Sequence, residues 1–244
     1  MRAILTYHSI DPSGSPVSLD EGAFRRHVQW LASRRVQAVP LDWILRVPAE
    51  RDAVALTFDD GFVNFADVAW PLLRHHDLPV TLFVATDRAG GDNRWDGRAQ
   101  RGIPSLPLLG WDALARMVEK GLTLGSHSRT HRKLTELDDA SLAEEVDGSA
   151  AEIERRTGVR PASFCYPFGQ LDERVRQAVA RTYALACTTE LRVLAADDDP
   201  HRLPRLDVHY YRSAARLEAW GSAGFRRHLW VRSRARALRQ ALGR

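Results

Sequence analysis

Cysteine, lysine and long apolar runs are all scarce in this chain, and each scarcity narrows what it can be. The two cysteines, Cys165 and Cys187, lie in apolar stretches without ligand-like spacing, so no disulfide framework holds the fold and both read as reduced core thiols. No window reaches the roughly 18 apolar residues of a membrane-spanning helix. The opening Met1-Arg2-Ala3-Ile4-Leu5-Thr6-Tyr7 turns strand-like within a few residues and lacks the apolar run and small-residue cleavage site of an export leader, which places the chain in the cytoplasm as an expectation. Only Lys120 and Lys133 are lysines among 35 basic residues. That arginine bias reads as compositional rather than as phosphate recognition.

What remains is ample for one globular unit. At 244 residues and 44% hydrophobic content the chain can bury a full core, and α/β barrels of about this length are commonly one domain. The net charge of +4 is unevenly placed: residues 214–244 hold eight Arg against one Glu, leaving 27 basic against 30 acidic residues before them. A near-neutral body with a basic tail argues against a nucleic-acid partner. The expected division is therefore a catalytic unit over residues 1–213 and a basic helical tail over 214–244.

Short β-rich runs alternate with helical patterns, the signature of a parallel α/β architecture. Strands are expected over residues 3–7, 37–40, 53–58, 79–84, 122–126, 162–166, 183–187 and 203–208. Apolar residues three and four apart mark the helices between them: Phe24, Val28 and Leu31; Val68, Leu72 and Leu73; Leu114 and Met117; Leu142, Val146 and Ile153; Val175 and Val179. Ser18 to Glu21 has the capping-box spacing for the first of these. Residues 87–110, rich in Gly, Pro and Asp and carrying Trp95, form a loop long enough to be functional.

Two strings carry the chemistry. Thr57-Phe58-Asp59-Asp60-Gly61 and His127-Ser128-Arg129-Thr130-His131 together offer two carboxylates and two imidazoles. A catalytic divalent metal such as zinc takes three such ligands and leaves a position open, so one carboxylate stays spare to act on water. In a regular strand Asp59 and Asp60 face opposite ways; for both to serve one site the strand must end there, and Gly61 permits a sharp exit. His127 and His131 would share a face if a helical turn follows the strand. A third string, Phe164-Cys165-Tyr166-Pro167-Phe168-Gly169, again runs from strand into turn and would present a backbone N–H toward the same edge.

In this order the three strings resemble the polysaccharide deacetylases of carbohydrate esterase family 4, the NodB-like domain. Tyr7-His8, the helix from Phe24 to Leu31, Leu78-Pro79-Val80-Thr81-Leu82-Phe83 and Leu203-Pro204-Arg205 extend the resemblance over roughly residues 3 to 210. It implies a deformed parallel (β/α) barrel. It implies Asp59 as general base, Asp60, His127 and His131 as ligands of a divalent metal (zinc, with cobalt, nickel or manganese as alternatives), and the Phe168 N–H as oxyanion donor. Where many members place an arginine that orients the base, this chain has Cys165; Arg205 is the candidate replacement. The family's late general-acid histidine has no clear match, and His209 is the nearest in sequence. His8, Trp95, Tyr166 and Phe168 are expected to line the substrate site, whereas Trp111 is expected to pack in the core.

The implied activity is hydrolysis of an acetyl group from an N- or O-acetylated sugar in a glycan, glycolipid or small glycoside. Cleavage of another amide at the same site, or a silent sugar-binding protein, are the rival readings. In the tail, Val231, Ala235, Leu238 and Leu242 fall on one helical face with Arg232, Arg236 and Arg239 on another. Such a helix either packs on the barrel or lies on the inner membrane surface.

Overall fold

The computed structural model describes residues 1–95, 97–98 and 100–241. The described residues hold ten strands: β1 (Arg2–Tyr7), β2 (Ser9–Ile10), β3 (Ser18–Leu19), β4 (Gln37–Ala38), β5 (Ala53–Phe58), β6 (Val80–Val84), β7 (Thr123–Ser126), β8 (Ser163–Cys165), β9 (Leu185–Cys187) and β10 (Leu206–Asp207). Eight of them form one parallel sheet in the order β10-β1-β5-β6-β7-β8-β9, with β4 sharing an edge of β5. Each matches an expected strand. The short parallel pair β2 and β3 was not anticipated, because two residues carry no periodicity to read.

The sheet curls toward closure. Leu206 pairs with Leu5 of β1, and Leu203, just ahead of it, bridges in parallel to Cys187 of β9, so one short run reaches both ends of the sheet. Parallel strands covered on both faces read as continuous apolar runs, and β1, β5 and β6 are buried at every residue. Successive side chains still alternate in direction. Ala3, Leu5, Val54, Leu56 and Phe58 pack outward against the helices, while Ile4, Ala53, Ala55, Phe83, Cys165 and Cys187 fill the interior. At the foot of the barrel Arg2 donates to the carbonyls of Leu45, Val47 and Ala195, which plugs the interior with a satisfied guanidinium.

Helices surround this sheet: α1 (Glu21–Ala32), α2 (Trp70–His75), α3 (Trp111–Glu119), α4 (Asp139–Ala143), α5 (Ser149–Thr157), α6 (Glu173–Thr182), α7 (Ala214–Glu218) and α8 (Ala223–Ala241). The residue capping α1 is Asp20, which accepts from the Ala23 N–H. Ser18 instead sits in β3 and donates to Asp11, so the capping-box expectation fails by register. Asp138 and Asp172 cap α4 and α6 in the same manner as Asp20. A wide π-type turn over Glu144–Gly148 joins α4 to α5, a local widening often found beside functional sites.

Trp111 opens α3 and is only partly buried, with Arg156 stacked 5.7 Å from its ring. The tail forms α8, whose inner face carries Phe225, packed in the core, and Arg236, paired with Asp207 at 3.2 Å. Val231 and Leu238 point outward instead, contrary to a single packed apolar face; Leu242 lies outside the described residues. No described helix is long and apolar enough to cross a membrane.

Candidate active site

The inward phase of β5 runs through Ala53, Ala55 and Thr57 to Asp59, which lies just past the strand and is 2% exposed. A continued strand would aim Asp60 at the opposite side. Asp60 instead takes φ +72°, and the Gly61 N–H folds back onto the Asp59 carbonyl at 2.9 Å. This tight turn is unusual for a residue with a side chain. It brings both carboxylates to one cavity.

The two histidines arrive differently from expectation. Residues 127–131 are not helical: Ser128 and His131 both have positive φ, +64° and +63°, in a loop that follows β7. Its backbone is held from several sides. The His127 N–H donates to Val84, the Ser128 carbonyl accepts from Thr86, and the Arg129 carbonyl accepts from Asp87. Buried Glu145, on the wide turn between α4 and α5, accepts from the Arg129 and Thr130 amides at 2.8 and 2.9 Å and from the Thr130 hydroxyl. Sequence reasoning missed Glu145 because three acidic residues crowd that turn and nothing in their spacing singles out the inward one.

His127 Nδ1 lies 2.7 Å from the Cys165 carbonyl, a contact that requires its proton there and leaves the Nε2 lone pair free. Nε2 of His127 and Nε2 of His131 each stand 3.6 Å from Asp60 Oδ1. The ligand atoms of Asp60, His127 and His131 lie within 4.8 Å of one another. One carboxylate and two imidazoles, converging and buried, are a fitting donor set for a catalytic divalent metal with open positions. Burial and the neighbouring His127 hold His131 well below its ordinary range, in the neutral form a ligand needs. Its Nδ1 is buried without a hydrogen-bond partner among the described residues. The ring is fixed by stacking on Trp95, 4.1 Å between centroids, and by the edge of Phe168 at 4.7 Å.

Asp59 is held from behind. Arg205, 1% exposed, grips both its oxygens at 2.7 Å. The same guanidinium donates to the Thr188 carbonyl at 2.9 Å, the Thr57 hydroxyl at 3.3 Å and the Cys165 sulfur at 3.0 Å. Burial pushes the Asp59 carboxyl up, but the charge and hydrogen bonds of Arg205, with His8 and His127, overcome it and hold the group well below the usual carboxylate range. Asp60 goes the other way: burial raises it, His8 and His127 counteract, and the charge of Asp59 adds to the rise. Cys165 is pushed far up by burial. It serves as a neutral neighbour of the ion pair.

Asp59, Asp60, His127, His131 and Arg205 meet around a cavity of about 120 Å³, walled by His8, Trp95, Tyr166 and Phe168. Its volume equals roughly four waters at ~30 Å³ each, enough for an acyl group and not for a sugar ring. A larger cleft of about 580 Å³ shares Trp95, His131 and Phe168 with it. His8 Nε2 stands 3.6 Å from Asp59 Oδ2. The Tyr166 hydroxyl is committed to the His201 carbonyl at 2.9 Å, so this residue offers a ring wall rather than a donor. Trp95 is likewise an internal buttress, 7% exposed, rather than an open sugar platform. Phe168 adopts φ +60° and is 44% exposed at the junction of cavity and cleft. His209 is not among the cavity's lining residues; its Nδ1 faces Arg212 at 3.0 Å.

The sequence model of the polysaccharide deacetylase family matches residues 46–184. The chain is 25% identical over 212 residues to YxkH of Bacillus subtilis, whose name carries the same family, covering 84% of this chain and 70% of that protein. It is 22% identical to the poly-beta-1,6-N-acetyl-D-glucosamine N-deacetylase of Staphylococcus epidermidis, covering 84% and 78%. Among solved structures, the Streptococcus pyogenes deacetylase PplD superposes with a TM-score of 0.71 at 22% identity, covering 84% of this chain and 91% of that one. At such identity the superposition establishes the shared fold.

Proposed function

Because the chain belongs to the polysaccharide deacetylase family, hydrolases of acetylated carbohydrate, we propose that it removes an acetyl group from an N-acetylated sugar at a metal-dependent site. The observation that carries this reading is one cavity in which three convergent ligand atoms stand beside a carboxylate locked by its own arginine. Asp60, His127 and His131 would hold the metal, one carboxylate and two imidazoles being a donor set that catalytic zinc uses. Such an ion polarises a carbonyl and makes water acidic enough to attack near neutral pH.

The chain's own residues do the rest. Asp59, ionised and oriented by Arg205, takes a proton from the water that attacks the acetyl carbon. The Phe168 backbone N–H, at the cavity wall, is the donor to the oxygen that becomes negative. His8, across from Asp59, gives a proton to the departing amine as the C–N bond breaks and acetate forms. The small cavity takes the acyl group while the sugar lies in the adjoining cleft. His209 has no part in this arrangement.

The test is acetate release from N-acetylglucosamine oligomers with and without added zinc. Asp59→Asn loses about 100-fold or more in kcat while still binding metal, and His127→Ala loses both metal and activity. His8→Asn lowers kcat with KM and bound metal unchanged. Purified protein that binds no divalent ion, or whose acetate release survives Asp59→Asn, defeats the reading.

A further inference from the structure

We infer that the outward face of α8 is a docking surface for an anionic lipid bilayer. The helix is fixed to the barrel along its other side, where Phe225 is 2% exposed, His228 reaches the Tyr210 carbonyl at 3.0 Å and Arg236 pairs with Asp207. With that side committed, Trp230, Val231 and Leu238 turn away from the protein at 61%, 49% and 62% exposure. They are three of the six exposed large hydrophobic residues among those described. Arg227 and Arg234 lie on the same exposed face, and no acidic residue follows Glu218.

The charge decides between occupants. A second copy of this chain, docked by symmetry on the same face, would set arginines against arginines with no carboxylate in α8 to answer them. An anionic bilayer answers both features at once: its headgroups take the guanidinium groups, and its acyl boundary takes Trp230, Val231 and Leu238. Arginine stems reach up to the headgroups while the apolar side chains sink.

The placement of α8 links this surface to the cavity. Trp220, just before the helix, donates to Asp52 at 3.1 Å near the foot of the barrel. Arg236 meets the last residue of β10, where the strands end beside the catalytic groups. The last turns of α8 thus stand at the mouth end, and a bilayer bound there would present sugars anchored to lipid. This last step rests on the deacetylase reading; lipid binding itself does not.

Co-sedimentation of the full chain with vesicles of phosphatidylglycerol and phosphatidylcholine, against phosphatidylcholine alone, tests the docking. The protein is expected to sediment only with the anionic vesicles and to be released by salt. Arg227→Ala combined with Arg234→Ala is expected to weaken partitioning by about 30-fold, and Val231→Ser with Leu238→Ser to abolish it. Thermal midpoints confirm that these exposed variants fold, whatever their activity. Equal retention on neutral vesicles, no retention on anionic ones, or a dimer in light scattering that Leu238→Ser dissociates each overturns the inference.

Discussion

Asp59 owes its charge to a residue far along the chain. A buried carboxylate without a partner is costly, and Arg205 supplies five hydrogen-bond contacts, two of them to Asp59 itself. Arg205→Met therefore leaves a buried charge unpaired and is expected to cost about 3–5 kcal/mol in chemical denaturation. Adding Asp59→Leu to Arg205→Met should recover part of that stability while activity stays absent. If the double variant is no more stable than the single, the pair is not what Arg205 holds. Cys165 itself marked this spot in the sequence, since an uncharged residue there demanded another cation. Arg205 was the candidate, and what the sequence could not display is the route by which it reaches Asp59, the pairing of β10 with β1.

At the level of elements, the histidine loop depends on its supports. Glu145→Gln keeps the shape but offers a weaker acceptor to the Arg129 and Thr130 amides, and is expected to lower zinc affinity by about 10-fold or more with little change in the fold. Calorimetric zinc titration of the two proteins checks this. All eight strands of the main sheet were legible as apolar runs bounded by turns, and the helices as three-and-four spacings. The loop carrying His127 and His131 was not. Their four-residue spacing fits a helical turn, but Ser128 and His131 both adopt positive φ, a tertiary outcome set by Glu145, Thr86 and Asp87 that local propensity does not encode. Trp95 lines the cavity, but its stacking on His131 was not legible for a related reason: it joins segments that sequence spacing cannot bring together.

For the molecule as a whole, acid sensitivity has a source away from the cavity. His27 is fully buried between the Tyr7 hydroxyl at 3.2 Å and the Tyr211 carbonyl at 2.9 Å, and burial lowers its pKa to about 4. Between pH 4 and the unfolded value near 6.5 the unfolded chain binds a proton that the folded chain refuses. Its contribution is thus complete above about pH 6.5 and is lost as pH falls, by about 2 kcal/mol at pH 5. Denaturation midpoints at pH 7.5 and pH 5 should show this loss, and His27→Asn should reduce the difference between them. An unchanged pH dependence in the variant would remove His27 from the account.

The grip of Arg205 on Asp59 spans 146 positions of sequence, which sets an order on biogenesis. As the chain emerges from the ribosome, both carboxylates and both histidines are present once residue 131 has been made, yet the base lacks its counter-charge until β10 docks beside β1. Closing so long a loop is slow. On the roles proposed above, assembly of Asp60, His127 and His131 and charge-pairing of Asp59 are therefore separate events, and the site is complete only when β10, the last of the described strands, has docked.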